Sequence, residues 1–474
     1  MRRRPRRVAP LLASLAVCLC GLGASYRATA LEAPAGSAGP AAHAAPPLDP
    51  FFEDLEKRTF LYFWETANPR NGLVPDRYPG PSPASIAGVG FALTAYPIGV
   101  ERGYVTRAAA RARVLATLRF FAAATAVHGF FYHFIDMQTG ERRKRSELST
   151  VDTTLLLGGV LLCQSYFDGA DPEEGEIRRL ADEIYGRVDW SWAEHWSSAV
   201  VMGWTPEKGF LRANWLGYNE AMLLYVLALG SPTHPARADA WRAWASTYDK
   251  TWGTVYGQTH LSFAPLFGHQ YSHVWIDFRL IRDAYMRARD LDYFENSRRA
   301  TLAQQRYAIE NPGHWRGYGE NLWGLTACEG PGDTRRPFAG ETRRFYGYRA
   351  RGVGLKGILD DGTIAPTAAV SSLPFAPEIV IPATLEMYRR FGGALYSTYG
   401  FRDAFNPSFD AGSPAREPGG WFDEHYLAID QGPILAMVEN YRSGLVWRIM
   451  QRNGYLRRGL ERAGFEGGWL QNAP

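Results

Sequence analysis

Trp421-Phe-Asp-Glu-His-Tyr-Leu-Ala-Ile-Asp-Gln-Gly-Pro-Ile-Leu-Ala-Met-Val-Glu-Asn-Tyr-Arg-Ser-Gly444 carries acidic and aromatic residues straight into an apolar helical pattern. Asp430 stands where that helix is expected to begin, and Pro433 fits its first turn, where a backbone N–H has no partner to lose. Asp152 and Glu220 hold the same place ahead of two other apolar runs. Helices apolar on every side are buried on every side, so acidic residues at their starts face whatever those helices enclose.

Working outward, two kinds of helical segment alternate. Ile177, Leu180, Ala181, Ile184, Tyr185 and Val188 are spaced three and four apart with charges between them, and Thr106 to Ala123 and Ala236 to Tyr248 behave alike. Ile86 to Val100, Val151 to Cys163, Ala221 to Leu229 and Ile434 to Val438 are apolar nearly all round. About six such pairs are expected, joined by long loops at Asn68 to Ser85, Asn311 to Tyr346 and Phe405 to Trp421. Strand-like alternation is sparse and no short repeat is evident. The expected fold is all-α: one (α/α)6 barrel, an inner ring of helices inside an outer one, over residues 48–470, with a two-domain arrangement second.

The ends read differently. Arg2, Arg3, Arg4, Arg6 and Arg7 precede an apolar stretch from Val8 to Ala24 and a small-residue site at Ala28-Thr29-Ala30, the pattern of an export signal over residues 1–30. That stretch is short for a membrane span. Cys18 suggests only a loose lipid-attachment box, so a periplasmic or secreted protein is expected ahead of a lipoprotein. Residues 31–47, rich in Ala, Pro and Gly, read as a linker. The chain carries +4, the first thirty residues contribute six arginines and no acid, and the remainder therefore carries −2. That balance gives no footprint for nucleic acid or an anionic membrane. Cys163 and Cys328, the cysteines left after processing, make no disulfide framework. A monomer is expected.

Ser149-Thr-Val-Asp152 is a capping box ahead of Leu155, and capping alone accounts for it as well as chemistry does. Glu220 opens the next apolar run beside Trp215, Tyr218 and Met222. Cleaving a glycosidic bond needs one protonated carboxyl and a second carboxylate. A helix N-terminus favours the ionised form, so Glu220 serves as an acid only where burial or a nearby negative charge outweighs that field. Aromatic residues cluster near these acids at Trp204, Trp215 and Tyr218, at Trp315, Tyr318 and Trp323, and at Trp421 and Tyr426. Such faces suit sugar rings and core packing alike. Gly352-Val-Gly-Leu-Lys-Gly357 matches a dinucleotide fingerprint but lacks the strand before it and the helix after it. His269 and His273 have the spacing of two metal ligands without a third, and His128 and His133 read as hydrogen-bonded structural residues. No metal and no cofactor are expected.

Seven segments, taken together, resemble the bacterial glucoamylase-like domain, including glycoside hydrolase family 144, whose members cleave β-1,2-glucans. They are Gly72-Leu-Val-Pro-Asp-Arg77, Glu147-Leu-Ser-Thr-Val-Asp-Thr153, Gly217-Tyr-Asn-Glu-Ala221, the run from Pro265 through Gln270 to Phe278, Trp323-Gly-Leu-Thr-Ala327, Asp361-Gly-Thr-Ile-Ala-Pro-Thr-Ala-Ala369 and Ile429-Asp-Gln-Gly-Pro433. The resemblance implies an (α/α)6 barrel and metal-free carboxylate catalysis with inversion on an oligo- or polysaccharide. It implies Glu220 as acid, Asp152 and Asp430 as the other site carboxylates, and substrate contacts from Asp76, Arg77, Glu147, Trp215, Tyr218, Gln270 and Trp323. The chain departs from it at Cys328-Glu329, where similar domains carry Ser-Asp. Two other readings stay open: a polysaccharide lyase with Tyr218 or His273 as base, and a glycan-binding protein whose carboxylates are only caps.

Overall fold

The computed structural model describes residues 48–409 and 419–472, so the expected export signal and linker lie outside the described residues. Helices come in the order α1 (Phe51–Thr66), α2 (Ile86–Glu101), α3 (Arg107–Ala123), α4 (Thr150–Tyr166), α5 (Pro172–Gly186), α6 (Trp190–Ala193), α7 (Met222–Gly230), α8 (Ala240–Ala245), α9 (Tyr271–Trp275), α10 (Ala284–Arg287), α11 (Tyr293–Glu310), α12 (Pro366–Val370), α13 (Pro377–Leu395), α14 (Ala428–Arg442), α15 (Leu445–Gln451) and α16 (Gly454–Arg462). Strands among the described residues are two to five residues long and form only small ladders.

The inner ring is α2, α4, α7, α9, α12 and α14, and every residue of α7, α9 and α12 is buried. The outer ring is α1, α3, α5, α8, α11 and α13, so the twelve alternate strictly as an (α/α)6 barrel; α6 and α10 are single turns in loops. Contacts between neighbours close the inner ring. A Cβ on Gly90 of α2 would lie 2.2 Å from the Leu155 carbonyl oxygen of α4, and one on Gly159 would lie 2.1 Å from the Gly90 oxygen, so only glycine permits this crossing. α7 packs beside α4, and across the ring Trp275 of α9 lies against Gly158 of α4. The Leu223 N–H of α7 donates to the Ser272 hydroxyl of α9 (3.0 Å), Gln270 before α9 donates to the Ala368 carbonyl of α12 (2.8 Å), and Thr367 of α12 donates to the Asp430 carbonyl of α14 (3.3 Å). Gly432 of α14 lies against Phe91 of α2. Each fully buried Leu, Ile or Phe in this ring contributes about 2 kcal/mol of transfer free energy.

Short ladders tie the loops at the N-terminal ends of the inner helices. Ala84–Ser85 pairs with Phe134–Ile135 just before α2, Leu148–Ser149 pairs with Trp204 and Gly203 just before α4, and Tyr426–Leu427 pairs with Arg77–Tyr78 just before α14.

Several boundaries depart from the sequence reading. α14 begins at Ala428 rather than Asp430, so Pro433 lies inside the helix instead of in its first turn. α7 begins after Glu220, not at it. Ala236 to Tyr248 is α-helical only over α8, with a 3₁₀ turn at Tyr248–Lys250. Gly352–Gly354 and Gly357–Leu359 form a hairpin, in keeping with the rejected dinucleotide motif. No described helix is long and apolar enough to cross a membrane.

Candidate active site

Asp152 sits in the first turn of α4. Ser149 caps that helix by accepting from the Asp152 N–H (3.2 Å), and its hydroxyl donates to Asp152 Oδ2. The opposite oxygen, Oδ1, lies 3.6 Å from His133 Nε2, and His133 Nδ1 lies 2.9 Å from Glu147 Oε1. The imidazole stacks on Phe134 at 3.8 Å. Burial opposes its charge, but Asp152, the hydrogen bond to Glu147 and Asp76 outweigh burial and raise its pKa to about 9. Glu147 therefore spends its carboxylate on His133, whose bond overcomes the effect of burial and holds Glu147 below its ordinary value.

Glu220 approaches α7 from the loop. Asn219 accepts from the Ala221 N–H (2.9 Å), and the Ser272 hydroxyl donates to the Glu220 carbonyl (3.0 Å), which fixes the backbone on both sides. The Glu220 carboxyl is buried, and its Oε2 has no hydrogen-bond partner. Burial, with the Asp152 charge adding to it, raises its pKa to about 7, so burial defeats any pull of the helix end toward the ionised form.

Asp430 projects from the first turn of α14 into a second group of acids. Asp403 neighbours it, and Asp430 Oδ2 has no hydrogen-bond partner among the described residues. Burial drives its pKa up to about 7, and the negative charges of Asp76, Asp423 and Glu329 push the same way. Arg77 holds this group together, with Nη1 2.9 Å from Glu329 Oε1 and Nε 3.6 Å from Asp76 Oδ2. Asp403 accepts from the Glu329 N–H (2.8 Å), and His425 Nδ1 lies 2.9 Å from Asp423 Oδ1. Tyr271 joins the two groups: burial holds its hydroxyl protonated, and Asp430, Glu220 and Asp152 all act on it. The structure thus buries the three expected carboxylates within electrostatic reach of common neighbours, with Asp76 and Arg77 among them.

Other residues expected at the substrate have protein partners. Trp215 Nε1 donates to Thr150 (3.0 Å), and Gln270 donates to Ala368 and Ser372, both at 2.8 Å. Tyr218 stacks flat on Tyr293 at 5.8 Å, and Trp323 is buried in the apolar layer that includes Leu266 and Ile364. The two bases a lyase would use meet a common partner, because Ser297 Oγ lies 3.2 Å from the Tyr218 hydroxyl and 3.1 Å from His273 Nε2. His269 Nε2 lies 3.1 Å from the Phe263 carbonyl. The sequence reading missed His133 as a neighbour of Asp152, and it missed Asp403, Asp423 and Tyr271. Asp423 lay within the Trp421–Gly444 run, whereas nothing around Asp403 marks it.

Residues 212–454 match the glycoamylase family model, whose description is "Putative glucoamylase". The chain is 30% identical over 440 residues to an exo β-1,2-glucooligosaccharide sophorohydrolase (non-reducing end) of Parabacteroides distasonis, covering 86% of this chain. It spans only 57% of that protein's length. Among solved structures, it is similar to an endo-β-1,2-glucanase from Chitinophaga pinensis in complex with sophorotriose and glucose, with 30% identity, a TM-score of 0.79, and coverage of 90% of this chain and 100% of that one. A β-1,2-glucanase from Parabacteroides distasonis is similar at 29% identity and a TM-score of 0.77, over 88% of this chain and 60% of that one.

Proposed function

This chain belongs to the glucoamylase-like family to which glycoside hydrolase family 144 and its close relatives belong, and on that premise we propose that it is an exported hydrolase of a neutral β-glucan, β-1,2-glucan first among them. The observation that carries the reading is the Glu220 carboxyl, buried, pushed up to about 7 and with Oε2 unpartnered, beside a negatively charged neighbour. A carboxylic acid that keeps its proton near neutrality can give it to a leaving oxygen.

Asp152 and Asp430 then take different parts. Both Asp152 oxygens face protein groups, Ser149 on one side and His133 on the other, so its charge serves to hold the proton on Glu220. Among the described residues no cation pairs with Asp430, and it is the base. As the glycosidic C–O bond breaks, its oxygen takes the Glu220 proton. A water oxygen bonds to the anomeric carbon from the opposite face, and that water's proton passes to Asp430. Attack from the opposite face inverts the anomer. Asp76 and Arg77 hold sugar hydroxyls at the rim, and the mature protein acts in the periplasm or outside the cell.

Linear β-1,2-glucan incubated with the mature protein tests this directly, by oligosaccharide release and by the anomer first formed. Turnover of other glycans with none on this polymer overturns the linkage, and a retained anomer overturns the roles given to Asp430 and water.

A further inference from the structure

The chain between α5 and α7 runs along the end of the barrel where α4 and α7 begin, and it carries a group of aromatic rings to the surface. Leu148–Ser149 pairs with Trp204 and Gly203, and Trp204–Thr205 pairs on its other edge with Phe210 and Gly209. Ser149 is the residue whose hydroxyl reaches Asp152, so this ladder leads outward from a site carboxylate to Phe210. The Phe210 ring centroid lies 4.7 Å from that of Trp192 in α6, 4.0 Å from that of His195 and 6.1 Å from that of Trp196. Trp196 is 61% exposed, more than any other aromatic ring among the described residues. We propose that Trp196, with His195 and Phe210 beside it, is a sugar-stacking platform that holds the β-glucan chain outside the carboxylates that cleave it, an assignment that rests on the function proposed above.

Core packing does not account for Trp196. Trp190, Trp244 and Trp275 are fully buried, whereas the Trp196 indole keeps most of its surface in water, which hydrophobic burial alone would not select. Nor does the ring stand singly: His195 lies 3.9 Å from it, centroid to centroid, and stacks on Phe210, so the apolar surface is continuous. The backing is rigid. His195 adopts φ 38°, in the left-handed region, at the turn that brings its ring beside Trp196. Below it, Trp192 stacks on His128 at 4.5 Å, the Val201 N–H donates to the Ala193 carbonyl (2.9 Å), and the Trp215 N–H donates to the Val200 carbonyl (2.9 Å). A surface held in this way loses little freedom when a ligand arrives. Its chemistry also selects the ligand. Glu194, next to His195 in the chain, is turned inward onto the Arg237 N–H (3.0 Å), so rings rather than its charge face the solvent. A flat apolar face with no bound charge suits the C–H face of a neutral pyranose. The ladder to Ser149 places that face on the loop that shares an edge with the Asp152 helix, where a long glucan leaving the site would lie.

Chain-length dependence and direct binding test the platform. Trp196→Ala should lower the ratio of kcat/KM on long linear β-1,2-glucan to that on its shortest cleaved oligosaccharide by about fivefold or more, and Trp196→Tyr, which keeps a flat ring, should recover most of it. Leu280→Ala removes an equally exposed apolar side chain elsewhere and should leave the ratio as it is. In gels containing the same long glucan, the Glu220→Gln protein should be retarded, and adding W196A should relieve about fivefold of that affinity. An unmoved ratio in W196A, no recovery in W196Y, or equal retardation with and without W196A would overturn the assignment. A concentration-dependent dimer that W196A abolishes would overturn it too, because the rings would then cover a second copy of this chain. Retardation relieved by W196A with no glucan cleaved by the parent would uphold the platform and refute the hydrolase, so the two failures are told apart.

Discussion

His133 Nε2 stands 3.6 Å from Asp152 Oδ1. This pairing sets a cation against the carboxylate that raises Glu220, with Glu147 holding the far side of the ring at 2.9 Å. One imidazole therefore orders the charges around Asp152 and Glu147.

Removing it should be visible in stability as well as rate. The His133 pKa is raised to about 9 in the folded protein, so its contribution is full below its ordinary value near 6.5 and is lost as pH rises through about 9. His133→Phe should cut kcat/KM by about tenfold or more, and should flatten the fall in melting temperature across that window. Parallel melting curves for parent and variant would show that the ring carries no such charge.

Glu220→Gln should remove about 10²- to 10⁴-fold of turnover while leaving the fold intact. Glu220 is raised to about 7, so its stabilising effect is present below about 4.5 and lost as pH rises through 7. Glutamine never ionises, and the variant should gain melting temperature over the parent more at pH 8 than at pH 5. A folded variant with most of its activity would take Glu220 out of the chemistry.

The sequence made the frame legible where helices are long. α2 and α4 run far enough for an apolar pattern on every side to stand out, and the capping Ser149 marks where α4 starts. α9 and α12 are five residues each, less than two turns, so no period can appear in them. The buried acids Asp152 and Asp430 in the first turns of α4 and α14 were readable for the same reason. Asp403 was not, because its place among these acids depends on α14 bringing Asp430 toward it. The partners of Trp215, Tyr218 and Gln270 were not legible, because sequence gives proximity to an acid without giving the direction of a ring or an amide. The competition between burial and helix field at Glu220 likewise needed the folded environment.

The loop that carries Glu329 is anchored by an ion pair with both members wholly buried. Arg351 holds Asp361 with two contacts, 2.7 and 2.8 Å, and spends its remaining N–H groups on the Cys328, Tyr346 and Gly347 carbonyls. Arg351→Met strands Asp361 and the carbonyls together. The expected cost is about 3–5 kcal/mol of stability, read by denaturant unfolding. A change below about 1 kcal/mol would mean that the loop does not depend on this pair.

Activity should survive exhaustive chelation. His269 and His273 direct their Nε2 atoms at Phe263 and Ser297, and acid–base cleavage through Glu220 and Asp430 asks nothing of a Lewis acid. Loss of turnover in EDTA, restored by one added divalent metal, would contradict the mechanism.

Cys328-Glu329 is where the resemblance sets this chain apart from similar domains, and the structure shows what the Glu329 side chain reaches. Glu329 Oε1 lies 2.9 Å from Arg77 Nη1, while its backbone N–H serves Asp403 whatever the side chain is. Glu329→Asp shortens the arm by one methylene. It should release Arg77 toward Asp76, 3.6 Å away, without disturbing the backbone N–H that Glu329 gives Asp403. The consequence belongs to substrate binding, so KM should rise about threefold or more and the product-length distribution should shift, with kcat changed less than about threefold. Cys328→Ser added to it should be near neutral, because Sγ makes only a long contact, 3.5 Å, to Arg351. Steady-state kinetics on glucans of graded length read both quantities. A fall in kcat at unchanged KM would place Glu329 in the chemical step instead of at a sugar subsite.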